Sequence, residues 1–231
     1  MTPLPHPIGI VFDLDDTLYL ERDYAFSGFS AVADWLERTH GIGGFAEQAR
    51  TVFSKGERKR VFDTALAALR VDPKPALIAE LVRTYRSHQP DICLTKDAER
   101  FLARWPGDLP LALLTDGFHQ SQRNKVTALG IDRTRLRPIV YTDAWGSAYW
   151  KPHQRGFEFI ASELGLPPAA LVYVADNPAK DFIAPRALGW RTVRIARAAG
   201  VHRHEVAAPE GEPTAVIETL DDLEAALLRA F

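Results

Sequence analysis

Six short runs of apolar residues punctuate the chain: IGIVF (8–12), LALLT (111–115), PIVYT (138–142), LVYVA (171–175), RTVRI (191–195) and TAVIE (214–218). They are nearly unbroken in apolar character, lacking the alternation of half-solvated strands, and so read as strands covered on both faces. Between the later runs lie helical patterns with legible ends. FHQSQRNKVTALG stops at Gly130, PHQRGFEFIASELG opens at Pro152 and stops at Gly165, and PAKDF opens a further helix at Pro178. Pro suits a first helical turn and Gly the residue after the last. Strand alternating with helix predicts an α/β fold, a doubly wound parallel sheet.

Residues 20–90 break that rhythm. Phe26, Phe29, Val32, Ala33 and Leu36, then Val61, Phe62, Leu66 and Leu69, then Leu77, Leu81 and Tyr85 recur at helical spacing, with no convincing strand among them. The pattern predicts a helical domain over 20–90 inserted into a core made of residues 1–19 and 91–231. A polar Gly/Pro stretch, HEVAAPEGEP (204–213), reads as a loop before the last strand.

Composition narrows the partners. The 231 residues are 46% hydrophobic and 25% charged, ordinary for a globular protein, and the net charge of −2 shows no sign of the basic face that a nucleic acid or membrane surface attracts. A small-molecule partner is expected, on a monomer or homodimer. The single cysteine, Cys93, leaves no internal disulfide or cysteine metal cluster and reads as a small core residue. MTPLPHPIGI has neither the charged start nor the apolar stretch of a signal peptide, and no apolar run approaches the roughly 18 residues of a membrane span. A cytoplasmic location is therefore expected.

Ligands of an open α/β sheet bind beyond the carboxyl ends of its strands. The first run delivers Asp13 and Asp15 there, with Asp16 beside them; the second ends in Thr115, Asp116 and Gly117. The third leads to Lys151, and the fourth ends in Asp176 with Asp181 five positions on. Like charges this close repel, and burial raises the cost, so the acids need either a cation or a solvated loop.

These residues resemble the motifs of the haloacid dehalogenase superfamily of phosphatases and phosphotransferases, over nearly the whole chain. Asp13, Asp15 and Thr17 match its Asp-x-Asp-x-Thr; Thr115 matches the Ser or Thr ending the next core strand. Lys151, followed by Pro152, matches its lysine, and Asp176 with Asp181 its acidic pair. The resemblance implies a Rossmann-like core, and residues 20–90 resemble the helical cap that the family carries between its first and second motifs. Ala175 departs from the glycine common before the fourth motif, a minor departure: the extra methyl could crowd the loop but removes no catalytic group.

The resemblance implies a reaction that also makes chemical sense. Asp13 is the expected nucleophile on a phosphomonoester, and Asp15 the acid that protonates the leaving oxygen and then the base for the attacking water. Asp15 is accordingly expected to hold its proton more tightly than Asp13. Mg²⁺ is the implied cofactor, held by the carboxylates of Asp13 and Asp176 and the main-chain carbonyl of Asp15. Lys151, the Thr115 hydroxyl and amides near Asp116 and Gly117 are expected to hold the phosphoryl oxygens. Asp181 and Thr17 stand behind these, Asp181 orienting a bound water or Lys151.

Tyr19, Arg22 and Phe26, at the entry to the helical insertion, and Arg58 in the basic cluster KGERKR (55–60) are candidate contacts for the leaving group. Core packing explains Phe26 equally, and a solvated helix face explains the cluster. His119 faces substrate or solvent, and Trp145 and Trp150 read as packing residues. Asp15 favours phosphate esters over haloacids, whose dehalogenases lack an acid there. The expected activity is Mg²⁺-dependent hydrolysis of a small phosphorylated metabolite: a sugar phosphate, acylneuraminate phosphate or nucleoside monophosphate. A phosphomutase also needs Asp15 and stays open, as does a non-catalytic module on the same fold, although every charged position is intact.

Overall fold

The computed structural model describes residues 9–105 and 109–230. Ile8, expected to open the first strand, and the N-terminal stretch before it lie outside the described residues. Strands β1 (Gly9–Phe12), β2 (Leu111–Thr115), β3 (Leu136–Tyr141), β4 (Leu171–Ala175), β5 (Arg191–Ile195) and β6 (Ala215–Ile217) form one parallel sheet in the order β3-β2-β1-β4-β5-β6. The order reverses beside β1, the topological switch point at which open α/β sheets hold ligands.

β1 explains why its residues are apolar throughout. Ile10 and Phe12 enter one apolar cluster with Leu113, Val126, Val174 and Ile195, while Val11 enters another with Ala112, Phe157, Tyr173 and Phe182 on the opposite face. Successive side chains of a strand point to opposite faces, so a strand covered twice cannot alternate with polar residues.

The helices are α1 (Glu21–His40), α2 (Phe45–Ser54), α3 (Val61–Ala68), α4 (Pro75–Ser87), α5 (Lys96–Arg104), α6 (His119–Ala128), α7 (Arg155–Leu164), α8 (Ile183–Ala187) and α9 (Leu223–Ala230). α1–α4 surround a third cluster containing Phe29, Val32, Leu36, Phe45, Phe53, Leu66 and Leu81. α1 and α4 meet closely at Gly28: a Cβ there would stand 2.3 Å from the Tyr85 ring. α5, which the apolar pattern left unassigned, packs on the sheet through Phe101, whose ring meets that of Phe12 edge-on at 5.5 Å.

Two expected helix starts move. α7 begins at Arg155 rather than Pro152, because residues 150–153 close a turn through the His153 N–H and the Trp150 carbonyl (2.9 Å). No helix begins at Pro178. The Asn177 side chain instead accepts the Ala179 N–H (3.0 Å) and the Asp181 carboxylate accepts the Asn177 N–H (3.0 Å), which cap a turn, and α8 starts only at Ile183. Cys93 is exposed rather than in the core. The Ala175 methyl group lies buried in the cluster with Phe182. Among the described residues no helix is long and apolar enough to cross a membrane.

Candidate active site

Parallel register brings the strand ends together. Phe12 lies beside Leu113 on β2 and Val174 on β4, and the Asp13 N–H donates to the Val174 carbonyl (2.9 Å), so Asp13 emerges between Thr115 and Asp176. The turn before α7 delivers Lys151 from the side. Its Nζ stands 2.6 Å from Asp13 Oδ1 and 2.8 Å from Asp181 Oδ1, and donates to the Tyr173 hydroxyl at 2.9 Å. A cavity of about 140 Å³ opens over these groups, lined also by Asp15, Asp116, Asp176 and Lys180.

One lysine does not balance the acids around it. Carboxylate oxygens of Asp13, Asp176 and Asp181 lie within 4.8 Å of one another, and buried Asp176 Oδ2 has no hydrogen-bond partner among the described residues. Burial pushes the Asp13 carboxyl up to about 7 although Lys151 pulls it down. Burial and the negative charges of Asp181 and Asp13 hold Asp176 well above the ordinary carboxylate range. An all-oxygen, anionic and under-neutralised cluster fits a hard divalent cation such as Mg²⁺.

Asp15 faces a different set of partners. Lys125 of α6 donates to Oδ1 (2.7 Å), as does the Tyr19 hydroxyl, and Gln122 Nε2 donates to Oδ2 (3.3 Å). Burial raises this carboxyl, but the Lys125 charge and the three donors outweigh it and carry Asp15 below its ordinary value. The expected order of proton affinities is therefore reversed: Asp13, with its neighbouring acids, lies above Asp15. Lys125 causes the reversal, because an ammonium in contact favours the ionised acid.

Asp116 serves the loops. Its carboxylate accepts the Lys151 main-chain N–H (3.1 Å to each oxygen), the Thr142 hydroxyl (2.8 Å) and Lys180 Nζ (2.9 Å). The Thr115 hydroxyl donates to Gln122 Oε1 (3.1 Å). Gly117 has a φ of 108°, where a Cβ would be strained and would meet Gln122 Nε2 at 2.8 Å. Asp16 turns away at a left-handed φ of 53° and caps two backbone N–H groups, Glu21 (2.8 Å) and Val201 (2.6 Å). Of the three acids after β1, this one is structural.

The structure brings Asp13, Asp15, Asp116, Lys151, Asp176 and Asp181 to one cavity; Gly117 lines a larger cavity beside it, and Thr115, buried, lines neither. Thr17 is buried, its carbonyl accepting from Arg197 (2.7 Å). Tyr19 is fully buried on Asp15 and meets a ligand only through it. Arg22 is exposed against Asp23 and lines neither this cavity nor the larger one beside it. Arg58 lines the larger cavity. His119 packs on Tyr141, and Trp145 and Trp150 pack on Phe159 and Phe118. Sequence reasoning missed Lys125, Gln122, Tyr173 and Lys180. For the first two a signal existed, since Ser121, Gln122 and Lys125 share the face of α6 that an amphipathic helix would keep apolar.

The sequence model of the haloacid dehalogenase-like hydrolases matches residues 9–189, and the chain belongs to that family. A glyceraldehyde 3-phosphate phosphatase of Methanocaldococcus jannaschii is 27% identical over 198 residues, covering 81% of this chain and 84% of that protein. A phosphoserine phosphatase of Thermus thermophilus is 32% identical over 142 residues, covering 61% of this chain and 55% of that protein. The fold is also that of a family hydrolase from Deinococcus radiodurans R1 solved with phosphate and sodium bound. That structure has a TM-score of 0.69 at 21% identity, with 99% of this chain and 97% of that one covered.

Proposed function

We propose that this protein is a Mg²⁺-dependent phosphatase that hydrolyses a small phosphomonoester through an aspartyl-phosphate on Asp13, with residues 20–90 acting as a cap. The observation that carries the reading is the buried cluster of Asp13, Asp176 and Asp181 around Lys151, with Asp15 held separately beside it. The two named relatives, both phosphatases of small phosphorylated metabolites, support the substrate class. Mg²⁺ held by Asp13, Asp176 and the Asp15 carbonyl would supply the positive charge that lets a carboxylate approach a phosphate dianion.

An Asp13 carboxylate oxygen forms the new bond to phosphorus as the ester P–O bond breaks. Lys151 holds Asp13 in one rotamer and adds a cation beside the transferring group. The arriving dianion raises the proton affinity of Asp15, which takes up a proton from solvent as the substrate binds and gives it to the departing alkoxide. The alcohol leaves, and Asp15, ionised again and fixed by Lys125 and Tyr19, takes a proton from the water that attacks the phosphorus. Inorganic phosphate departs and Asp13 is restored.

The test is phosphate release from an aryl phosphate by purified protein. Turnover is expected with Mg²⁺ and not after chelation, and Asp176→Asn is expected to need at least about tenfold more Mg²⁺ for half-maximal activity. Full activity in chelator would overturn the metal reading, and no hydrolysis of any phosphomonoester with Mg²⁺ would overturn the phosphatase reading.

A further inference from the structure

Beyond Asp15, between α6 and the helical unit, lies a second cavity of about 390 Å³. Glu21 lines both cavities, and Gln122 and Lys125, which hold Asp15, line the larger one. The space thus begins at the group expected to protonate the leaving oxygen. It lies in the range of clefts that take drug-sized ligands, roughly 300–1,000 Å³, and exceeds what a triose or a serine fills.

Its walls are aromatic. Tyr24, Phe29, Phe53, Phe62, Tyr85 and Phe118 line it. Five of them belong to the helical unit, where edge-on contacts such as Tyr85 on Tyr24 (5.3 Å) and on Phe62 (5.6 Å) fix the ring planes. Phe118 is 45% exposed, one of few large apolar side chains left open, and a ligand body lying against it would remove that surface from water.

Two guanidiniums also line this cavity without a carboxylate ion-pair partner among the described residues. Arg58 lies over the Phe53 ring (3.7 Å to the centroid) and donates to the Phe53 and Glu57 carbonyls; Arg86 lies over the Phe118 ring (3.3 Å). The acids nearest in the wall are engaged or occupied elsewhere: Asp63 faces Arg60 (3.4 Å), and Glu21 faces the Asp15 end. Guanidiniums on aromatic faces keep their planar donors available for an incoming anion.

Resting on the phosphatase reading, we propose that the natural substrate is a phosphomonoester whose alcohol carries a flat, ring-sized apolar body and a second anionic group that pairs with Arg58 and Arg86. The body fills the aromatic walls, the second anion takes the free guanidinium donors, and the phosphate reaches Asp13. A triose phosphate or phosphoserine offers no body for the rings.

The test compares phenyl phosphate, 4-carboxyphenyl phosphate, glycerol 3-phosphate and phosphoserine with Mg²⁺. The carboxylated aryl ester is expected to exceed phenyl phosphate in kcat/KM by about tenfold, the effect of one or two partly exposed charge-assisted hydrogen bonds, and both are expected to exceed the two small esters. Arg58→Gln and Arg86→Gln should each reduce the ratio between the two aryl esters severalfold. A ratio needs no correction for the fraction of variant that folds. Separately, 4-hydroxybenzoate should bind the metal-free protein more tightly than phenol by calorimetry, and Arg58→Gln should erase the difference. Hydrolysis of all four esters with no preference for the ring or the carboxylate, or ratios unmoved in both variants, would overturn the substrate proposal while leaving the phosphatase reading intact. Failure of all four esters to react would instead count against that reading.

Discussion

At the carboxyl end of the sheet, Asp13, Asp15 and Asp116 each face a lysine, Lys151, Lys125 and Lys180, at 2.6–2.9 Å. Across the cavity the helical unit presents rings, with Arg58 and Arg86 in no ion pair with a carboxylate among the described residues. Directional, charge-assisted bonds hold reacting atoms to a fraction of an ångström, as phosphoryl transfer requires. Apolar contact with a ligand scales with the area buried and accepts exchange of one apolar group for another of similar size. Under the proposed phosphatase reading, the floor suits one reaction and the roof a choice among alcohols.

The comparison breaks first if the floor can lose a charge cheaply. Asp13→Asn is expected to lower phosphate release from phenyl phosphate at least about a thousandfold, as loss of a nucleophile does. Folding should survive, because Asp181 still faces Lys151 at 2.8 Å. Intact-protein mass after brief incubation with substrate and Mg²⁺ should show no added phosphoryl group in Asp13→Asn. In Asp15→Asn, given a nitrophenyl ester that scarcely needs a proton donor, the phosphoenzyme should accumulate because its hydrolysis lacks a base. Label on another aspartate in Asp13→Asn would reassign the nucleophile.

The floor was legible in the sequence because its parts follow directly from strand ends. Asp13, Thr115 and Asp176 each sit at or one residue beyond the last residue of a buried strand, and an all-parallel sheet leaves them nowhere else to go. Lys125 was not legible in the same way. It lies mid-helix, where a lysine normally reads as a solvated face, and only the packing of α6 against the loop after β1 turns it onto Asp15. The proton affinities were misjudged for the same reason: the order of Asp13 and Asp15 depends on which lysine each one meets. In the roof, helical spacing identified Phe29, Leu66 and Tyr85 as buried or packed, but not which rings face a cavity. Asp16 was indistinguishable from its neighbours until its left-handed backbone and two amide partners were seen.

A smaller effect probes the seam between floor and roof. Lys125 touches Asp15 yet also lines the larger cavity. If it acts as a positioning residue for Asp15, Lys125→Met should lower kcat about a hundredfold for an ester with a poor leaving group. The loss should be much less for the first step with a nitrophenyl ester, and Lys125→Arg should restore part of it. Equal losses on both esters, with no rescue, would place Lys125 in packing alone and make the seam part of the roof.

The smallest expected effect concerns Arg22, which sequence reasoning grouped with Tyr19 and Arg58 as a contact for the leaving group. It lies in the first turn of α1, yet its side chain is 48% exposed, its partner Asp23 is 3.4 Å away and 41% exposed, and it lines neither cavity. An exposed pair between adjacent residues, screened by water, contributes about 0–1 kcal/mol. Arg22→Ala is therefore expected to change unfolding free energy by less than about 0.5 kcal/mol. The ratio of kcat/KM for 4-carboxyphenyl and phenyl phosphate should move less than about twofold, within the small changes of a surface substitution. Arg58→Ala measured alongside should move that ratio severalfold, because both residues are cations of the helical unit and only one faces the cavity. A shift in Arg22→Ala as large as that in Arg58→Ala would mean that net charge near the site, and not the guanidiniums in the cavity wall, sets the preference. Repeating both variants in 0.5 M salt separates these causes: a long-range effect fades as the Debye length falls to a few ångströms, whereas direct pairing in the cavity persists.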